Sequence, residues 1–322
     1  MTELSYARRL LSMLAGTWPS FQPAPTPTVV TDSLGRRLLS MLAGTWPAFQ
    51  PRADQYHQPG QTETRSAVVR KSPEERRGVM VRASLRSADL RGANLTDAYL
   101  TGANLAGKDL TDANLTGANL IRTDLRAANL GGATLIRANL TGADLTGTDL
   151  TDAELSVADL SLAILHEANL TDANLTDANL TRADLTDANL TRTNLTDADL
   201  TDADLSGAIL HEAHLADADL SLASLTGANL TEANLARANL ARADLSFADL
   251  TDAGLSFANL TGANLTEATL PRMDSITSLM WSSETRWGRR DIEEIRARSV
   301  ERSERVYILN PPGLQADVFL DH

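Results

Sequence analysis

The chain has 322 residues, a formal net charge of −13 at pH 7 and no cysteine. Disulfide frameworks and thiolate chemistry are therefore excluded. No stretch approaches the roughly 18 apolar residues of a membrane span, and the acidity argues against direct binding of nucleic acid. Length alone suggests two domains, an expectation that the internal order of the chain overrides.

Residues 1–71 are proline-rich, with seven of the chain's eleven prolines, and are expected to form a mostly disordered, flexible extension. Within it the twelve-residue string from Arg8 to Pro19 recurs without change from Arg36 to Pro47. Each copy (8–19 and 36–47) reads as a short helix with apolar Leu10, Leu11 and Leu14, or Leu38, Leu39 and Leu42. A glycine then serves as C-cap, followed by Trp18-Pro19 or Trp46-Pro47. A helix of about two turns is marginal alone, so these residues form a candidate docking motif whose two copies would gain avidity; an unselected tandem duplication is the simpler reading. The start Ala7-Arg8-Arg9-Leu10-Leu11 resembles a twin-arginine export signal. However, the apolar run ends at Thr17-Trp18-Pro19 and the arginine pair recurs at Arg36-Arg37, so the expected location is cytoplasmic. Residues 72–82 begin Ser72-Pro73-Glu74-Glu75, a helix start that could cap the N-terminal end of the leucine-rich region from Leu85 onward.

From Leu85 to Leu270 every fifth residue is leucine, thirty-eight in succession, with alanine two places earlier in thirty-four units. The unit reads Ala-(Asn/Asp)-Leu-(Thr/Ser)-Xaa. On an α-helix, five residues rotate a side chain by about 140°, and in a flat strand an odd spacing alternates faces. Neither element keeps the leucines together. The chain must bend within each unit, with alanine and leucine inside and the residue between them outside, so that it winds into a solenoid. This pattern, as in Ala173-Asn174-Leu175-Thr176-Asp177, resembles the pentapeptide-repeat family over residues 83–270. The resemblance implies an all-β solenoid, a right-handed four-sided parallel β-helix with four units per coil. Thirty-eight units then make about nine and a half coils, about 45 Å long at the strand spacing of ~4.8 Å.

Residues 271–322 begin with Pro271, which stops the repeat. Trp281 and Trp287 flank a turn; Arg289 to Arg305 reads as a helix with Ile292, Ile295 and Val300 inward, and Val306 to Leu309 as a strand. This small α/β segment is expected to cap the last coil, or to form a C-terminal homodimer interface in place of a monomer.

Residues 83–270 hold 27 acidic and 10 basic residues. Grouping units twenty apart gives one side with a column of Asp124, Asp144, Asp184, Asp204 and Asp244, beside Glu167 and Asp187. The adjoining side carries Asp109, Asp149 and Asp249, with Asp112, Asp152, Asp172, Glu212, Glu232 and Asp252 at its corners. A third side alternates Arg122, Arg182 and Arg242 with Leu162 and Leu222. His166-Glu167 and His211-Glu212 belong to a shared Ala-Ile-Leu-His-Glu-Ala string and read as a duplication. No catalytic constellation, phosphate loop or metal-ligand spacing is visible, so neither enzymatic activity nor a cofactor or metal is expected.

Family members associated with fluoroquinolone resistance and with self-resistance to gyrase poisons resemble a DNA duplex in shape and charge. The resemblance thus implies a non-enzymatic DNA mimic that binds a basic surface on DNA gyrase or topoisomerase IV. The chain departs from those members in having no projecting loop and no phenylalanine at the central position. The alternative is a rigid interaction scaffold that docks partners through the duplicated N-terminal motif.

Overall fold

The computed structural model describes residues 89–288 and 292–309. The chain divides into two units, 1–62 and 63–322, and all described residues lie in the second. The duplicated motif and the 72–82 segment lie outside the described residues.

The repeat folds as a right-handed β-helix solenoid. Every residue between alanine and leucine, from Asn94 to Asp249, is bridged in parallel to the residue 20 further on. One coil therefore takes four five-residue units, and each leucine lies over the leucine of the preceding coil. Leu95 to Leu265 are all at most 4 % exposed. The alanines are buried with them, because the corner beside a leucine stack has room for little more than a methyl. Thr123, Thr148 and Thr193 replace alanine and are fully buried; each donates its hydroxyl to a leucine carbonyl of the previous coil, at 2.7–2.8 Å. Lys108, at the same position, is only half-buried, as expected when a long stem lets the charged head reach water.

The unit Ala173–Asp177 shows how the backbone is satisfied. The Ala173 N–H donates to Leu170 O (3.0 Å) across the turn, and Asn174 N–H donates back to Ala153 O (2.9 Å). Leu175 and Asp177 donate forward to Asn194 O (2.7 Å) and Thr196 O (3.1 Å). That leaves Thr176 N–H, which no neighbouring backbone carbonyl takes; it donates to Asn174 Oδ1 (3.1 Å), and the Thr176 hydroxyl donates to the same oxygen (2.7 Å). All five donors are thereby paired. The same Asx turn recurs from Arg91 to Thr266 at 2.8–3.3 Å. The preference for Asn or Asp before leucine, and for Thr or Ser after it, is the chemical requirement of this turn.

The fifth residue of the unit closes the corner in the left-handed region. At all thirty-six positions from Gly92 to Glu267 φ is positive, yet only ten are glycine. Aspartate is frequent among the rest, which accords with its tolerance of this region. β-Branched Val157 (φ 59°) pays the steric penalty without such help.

Past the repeats, a 3-10 turn at Met273–Ser275 leads to strand β1 (Leu279–Ser282), helix α1 (Ile292–Ala297) and strands β2 (Ser299–Ser303) and β3 (Val306–Leu309). These form an antiparallel sheet in the order β1-β3-β2. Met280 and Arg286 extend the ladder of the solenoid, bridging Asn259 and Asn264. Trp281 is buried, stacked on Tyr307 (centroids 4.5 Å apart) and edge-on to Trp287 (5.9 Å), with Ile295 buried nearby.

The expected single helix to Arg305 is corrected here. It ends at Ala297, and the chain turns back as the β2–β3 hairpin. Ser299 Oγ donates to Ile295 O (2.6 Å) and accepts the Trp281 indole N–H (2.9 Å), which ends the helix and draws the chain into the sheet. Val300 is consequently 39 % exposed, not inward.

Candidate partner-binding faces

The 20-residue register sorts the outward side chains onto four sides. The side that begins at Asn104 carries Asp124, Asp144, Asp184, Asp204 and Asp244, interrupted by Ile164 and Ser224. The next side carries Asp109, Asp149 and Asp249 in its ladder. Its corner column runs Asp112, Gly132, Asp152, Asp172, Arg192, Glu212, Glu232, Asp252. Over residues 89–269 these two sides each have a net charge of −7, against −3 and −1 for the other two. The ladder aspartates are half-buried apart from exposed Asp109 and Asp204, and the corner residues Asp152, Asp172 and Glu212 are exposed.

Stacking like charges at ~4.8 Å is unfavourable, and the structure offsets it in two ways. Arginines reach carboxylates within a unit or one coil away. Arg126 bridges Asp124 (2.8 Å) and Asp144 (3.5 Å), Arg192 holds Asp172 through two hydrogen bonds of 2.7 and 2.6 Å, and Arg237 holds Asp217 likewise. Elsewhere an asparagine stacked on an aspartate donates to it, as Asn239 does to Asp219 and Asn264 to Asp244, both at 3.0 Å. Among the described residues, Asp184 and Asp204 have no arginine between them.

The charged partners also set the acidity of these groups. Arg126 holds the Asp124 carboxyl below its ordinary value of 3.8, against a smaller opposing effect of burial. Arg192 and Arg237 do the same for Asp172 and Asp217. Burial pushes Asp219 up, but hydrogen bonds from Ser221 and Asn239 together outweigh it and leave the carboxyl lowered.

The third side differs from the stripe expected from sequence. Its corner column reads Arg122, Gly142, Leu162, Arg182, Asp202, Leu222, Arg242, and Arg182 lies 3.5 Å from Asp202. It is a near-neutral surface with exposed Leu162 and Leu222, not a basic one. Sequence reasoning also passed over the corner column Asp177, Asp197, Asp217, Arg237 on the remaining side, although the same twenty-residue grouping reveals it. The histidine strings land on neighbouring sides, and the coil register adds Glu232 beside His211 and Glu212. Of the C-terminal candidates, Trp281 and Ile295 are fully buried, Trp287 is nearly so and Ile292 is partly buried. No helix among the described residues is long and apolar enough to cross a membrane.

The family model for pentapeptide repeats matches eight times, together spanning residues 79–267. No curated protein matches significantly. Among solved structures, the chain is similar to HetL, a pentapeptide-repeat protein involved in heterocyst differentiation regulation from the cyanobacterium Nostoc sp. strain PCC 7120. That likeness is 40 % identity over 54 % of this chain and 83 % of that one, with a TM-score of 0.32. Rfr23, from the cyanobacterium Cyanothece 51142, shares 41 % identity over 31 % of this chain and 63 % of its own (TM-score 0.26). QnrB1, a plasmid-mediated fluoroquinolone resistance protein, shares 16 % over 62 % and 96 % (TM-score 0.42).

The lowered Asp124 carboxyl gives a pH-dependent contribution of known sign. A depressed aspartate stabilises the fold above its unfolded value of 3.8, and this contribution is lost as pH falls through the folded value. Asp124→Asn keeps the turn acceptor but loses the ion pair with Arg126. In denaturant titrations it should be less stable than wild type at about pH 7, and the two should converge at about pH 2. A gap that does not change with pH would show that the ion pair contributes nothing.

Proposed function

Because the chain belongs to the pentapeptide-repeat proteins, we propose that it is a non-enzymatic, protein-binding rod whose two acidic sides imitate the phosphate backbone of a duplex. The observation that carries this reading is the charge asymmetry: two adjacent sides at −7 each beside one at −1. The fitting partner is a protein with a basic groove built for duplex DNA, and DNA gyrase or topoisomerase IV in the cytoplasm is the candidate. Each ladder aspartate commits Oδ1 to its own turn, so Oδ2 remains to present charge, as at Asp184 and Asp204.

That double role decides which variant is informative. Lysine at Asp144, Asp184 or Asp204 would remove the turn acceptor along with the charge. Asparagine removes the charge alone. The triple variant Asp144→Asn, Asp184→Asn, Asp204→Asn should keep the fold and weaken binding. The assay is gyrase supercoiling at rising salt, because surface charge pairs are screened over about 8–10 Å. Wild type should inhibit at low salt and the triple variant should not. Equal inhibition by both would remove the acidic faces from the interaction, and no effect of wild type at micromolar concentration would remove gyrase.

The exact duplication in residues 8–19 and 36–47 favours a second reading, a scaffold that docks through its N-terminal extension. Removing residues 1–70 leaves inhibition intact if the rod binds, and abolishes partner capture if the extension docks. We also propose that residues 271–322 cap the last coil, supported by the Met280 and Arg286 bridges. Deletion of 271–322 should then expose an open β-edge and cause aggregation in light scattering. A soluble monomer would favour a dimer interface.

A further inference from the structure

The two histidine strings occupy equivalent turns. His166 Nδ1 lies 3.0 Å from Thr186 O and 2.8 Å from its Oγ1; His211 Nδ1 lies 3.1 Å from Thr231 O and 2.8 Å from its Oγ1. An Nδ1–H donated to that carbonyl leaves Nε2 with a free lone pair facing the following glutamate. The distance is 3.3 Å to Glu212 Oε1 and 3.6 Å to Glu167 Oε1.

The strings differ in what the next coil supplies. Beside His211-Glu212 stands Glu232; beside His166-Glu167 stands Asp187, one methylene shorter, whose carboxylate leans over Gly207 of the following coil. Donor atoms of His211, Glu212 and Glu232 all lie within 4.8 Å of one another, the only such trio among the described residues. Arg192, next in the same corner column, makes two hydrogen bonds to Asp172 and also lies within electrostatic reach of Glu212. Carboxylate oxygens of Glu212 and Glu232 thus stand within 4.8 Å of each other and of an imidazole nitrogen of His211.

We propose that His211, Glu212 and Glu232 bind a divalent transition-metal ion of the zinc class. Zinc bonds of about 2.0–2.1 Å to nitrogen and oxygen, at the tetrahedral angle, set donors about 3.3 Å apart, which matches the His211–Glu212 separation. One nitrogen and two carboxylates suit zinc over magnesium or calcium, which take oxygen ligands. The Thr231 carbonyl on Nδ1 is the outer partner that orients a ligating imidazole. Water completes the coordination. Metal binding at this turn does not depend on the gyrase reading.

The test uses the full chain, stripped of metal and titrated with Zn²⁺ against a chromophoric chelator. Circular dichroism of each variant monitors the fold. Wild type should bind one ion that His166→Ala retains and His211→Ala loses. Glu232→Asp, which tests reach without removing charge, should weaken binding by about tenfold or more. Co²⁺ in place of Zn²⁺ should give visible bands of four-coordination in wild type and His166→Ala but not in His211→Ala, and excess Mg²⁺ should not compete. Equal Zn²⁺ binding by wild type and His211→Ala would overturn the proposal. So would the absence of wild-type binding at Zn²⁺ on the order of 100 µM, or unchanged affinity in Glu232→Asp.

Discussion

One backbone amide per unit governs this molecule. Four of the five N–H groups find carbonyls across the turn or in adjacent coils, but the residue after each leucine has none, as at Thr176. Where Asn or Asp stands two residues earlier, as in most units, its side chain supplies the acceptor. The leucine stack drives collapse, yet without the side-chain acceptor each corner would leave a polar group short of a partner at a net cost of about 1 kcal/mol. Repeated from coil to coil that small quantity accumulates, because a solenoid is stabilised as a sum of similar neighbouring terms.

The same requirement connects fold to function. Asparagine and aspartate serve the turn equally through Oδ1, so the choice between them sets surface charge with little consequence for the coil. Charge can then be varied along the ladder, and the chain concentrates it on two adjacent sides. Where aspartates stack, as at Asp124 and Asp144, an arginine spans them; among the described residues none spans Asp184 and Asp204. A surface selected for solubility alone would not require the sides to differ.

The sequence made the interior plain, because leucine at period five has no other consistent solution and alanine marks the tight corner. Four units per coil came with the family resemblance, and with it the side to which Asp144 or Arg182 belongs. What stayed hidden depended on side-chain reach across the coil: the Arg192–Asp172 pair, the Arg182–Asp202 contact and the meeting of Glu232 with His211. These need a three-dimensional register and a rotamer, not a period. The tail departs from its helical pattern because periodicity cannot anticipate a distant partner. The Trp281 indole and the Ile295 carbonyl both claim Ser299, and that meeting turns the chain into a hairpin.

The claim that the outward side chain holds the corner can be measured by amide hydrogen exchange at Thr181. Its N–H donates to Asn179 Oδ1 (3.0 Å), while the adjacent Leu180 N–H donates to Asp199 O (2.7 Å) in the next coil. In wild type and in Asn179→Asp the Thr181 amide should be protected. In Asn179→Ala it should exchange much faster while Leu180 stays protected. Protection of Thr181 unchanged by the alanine substitution would contradict the account.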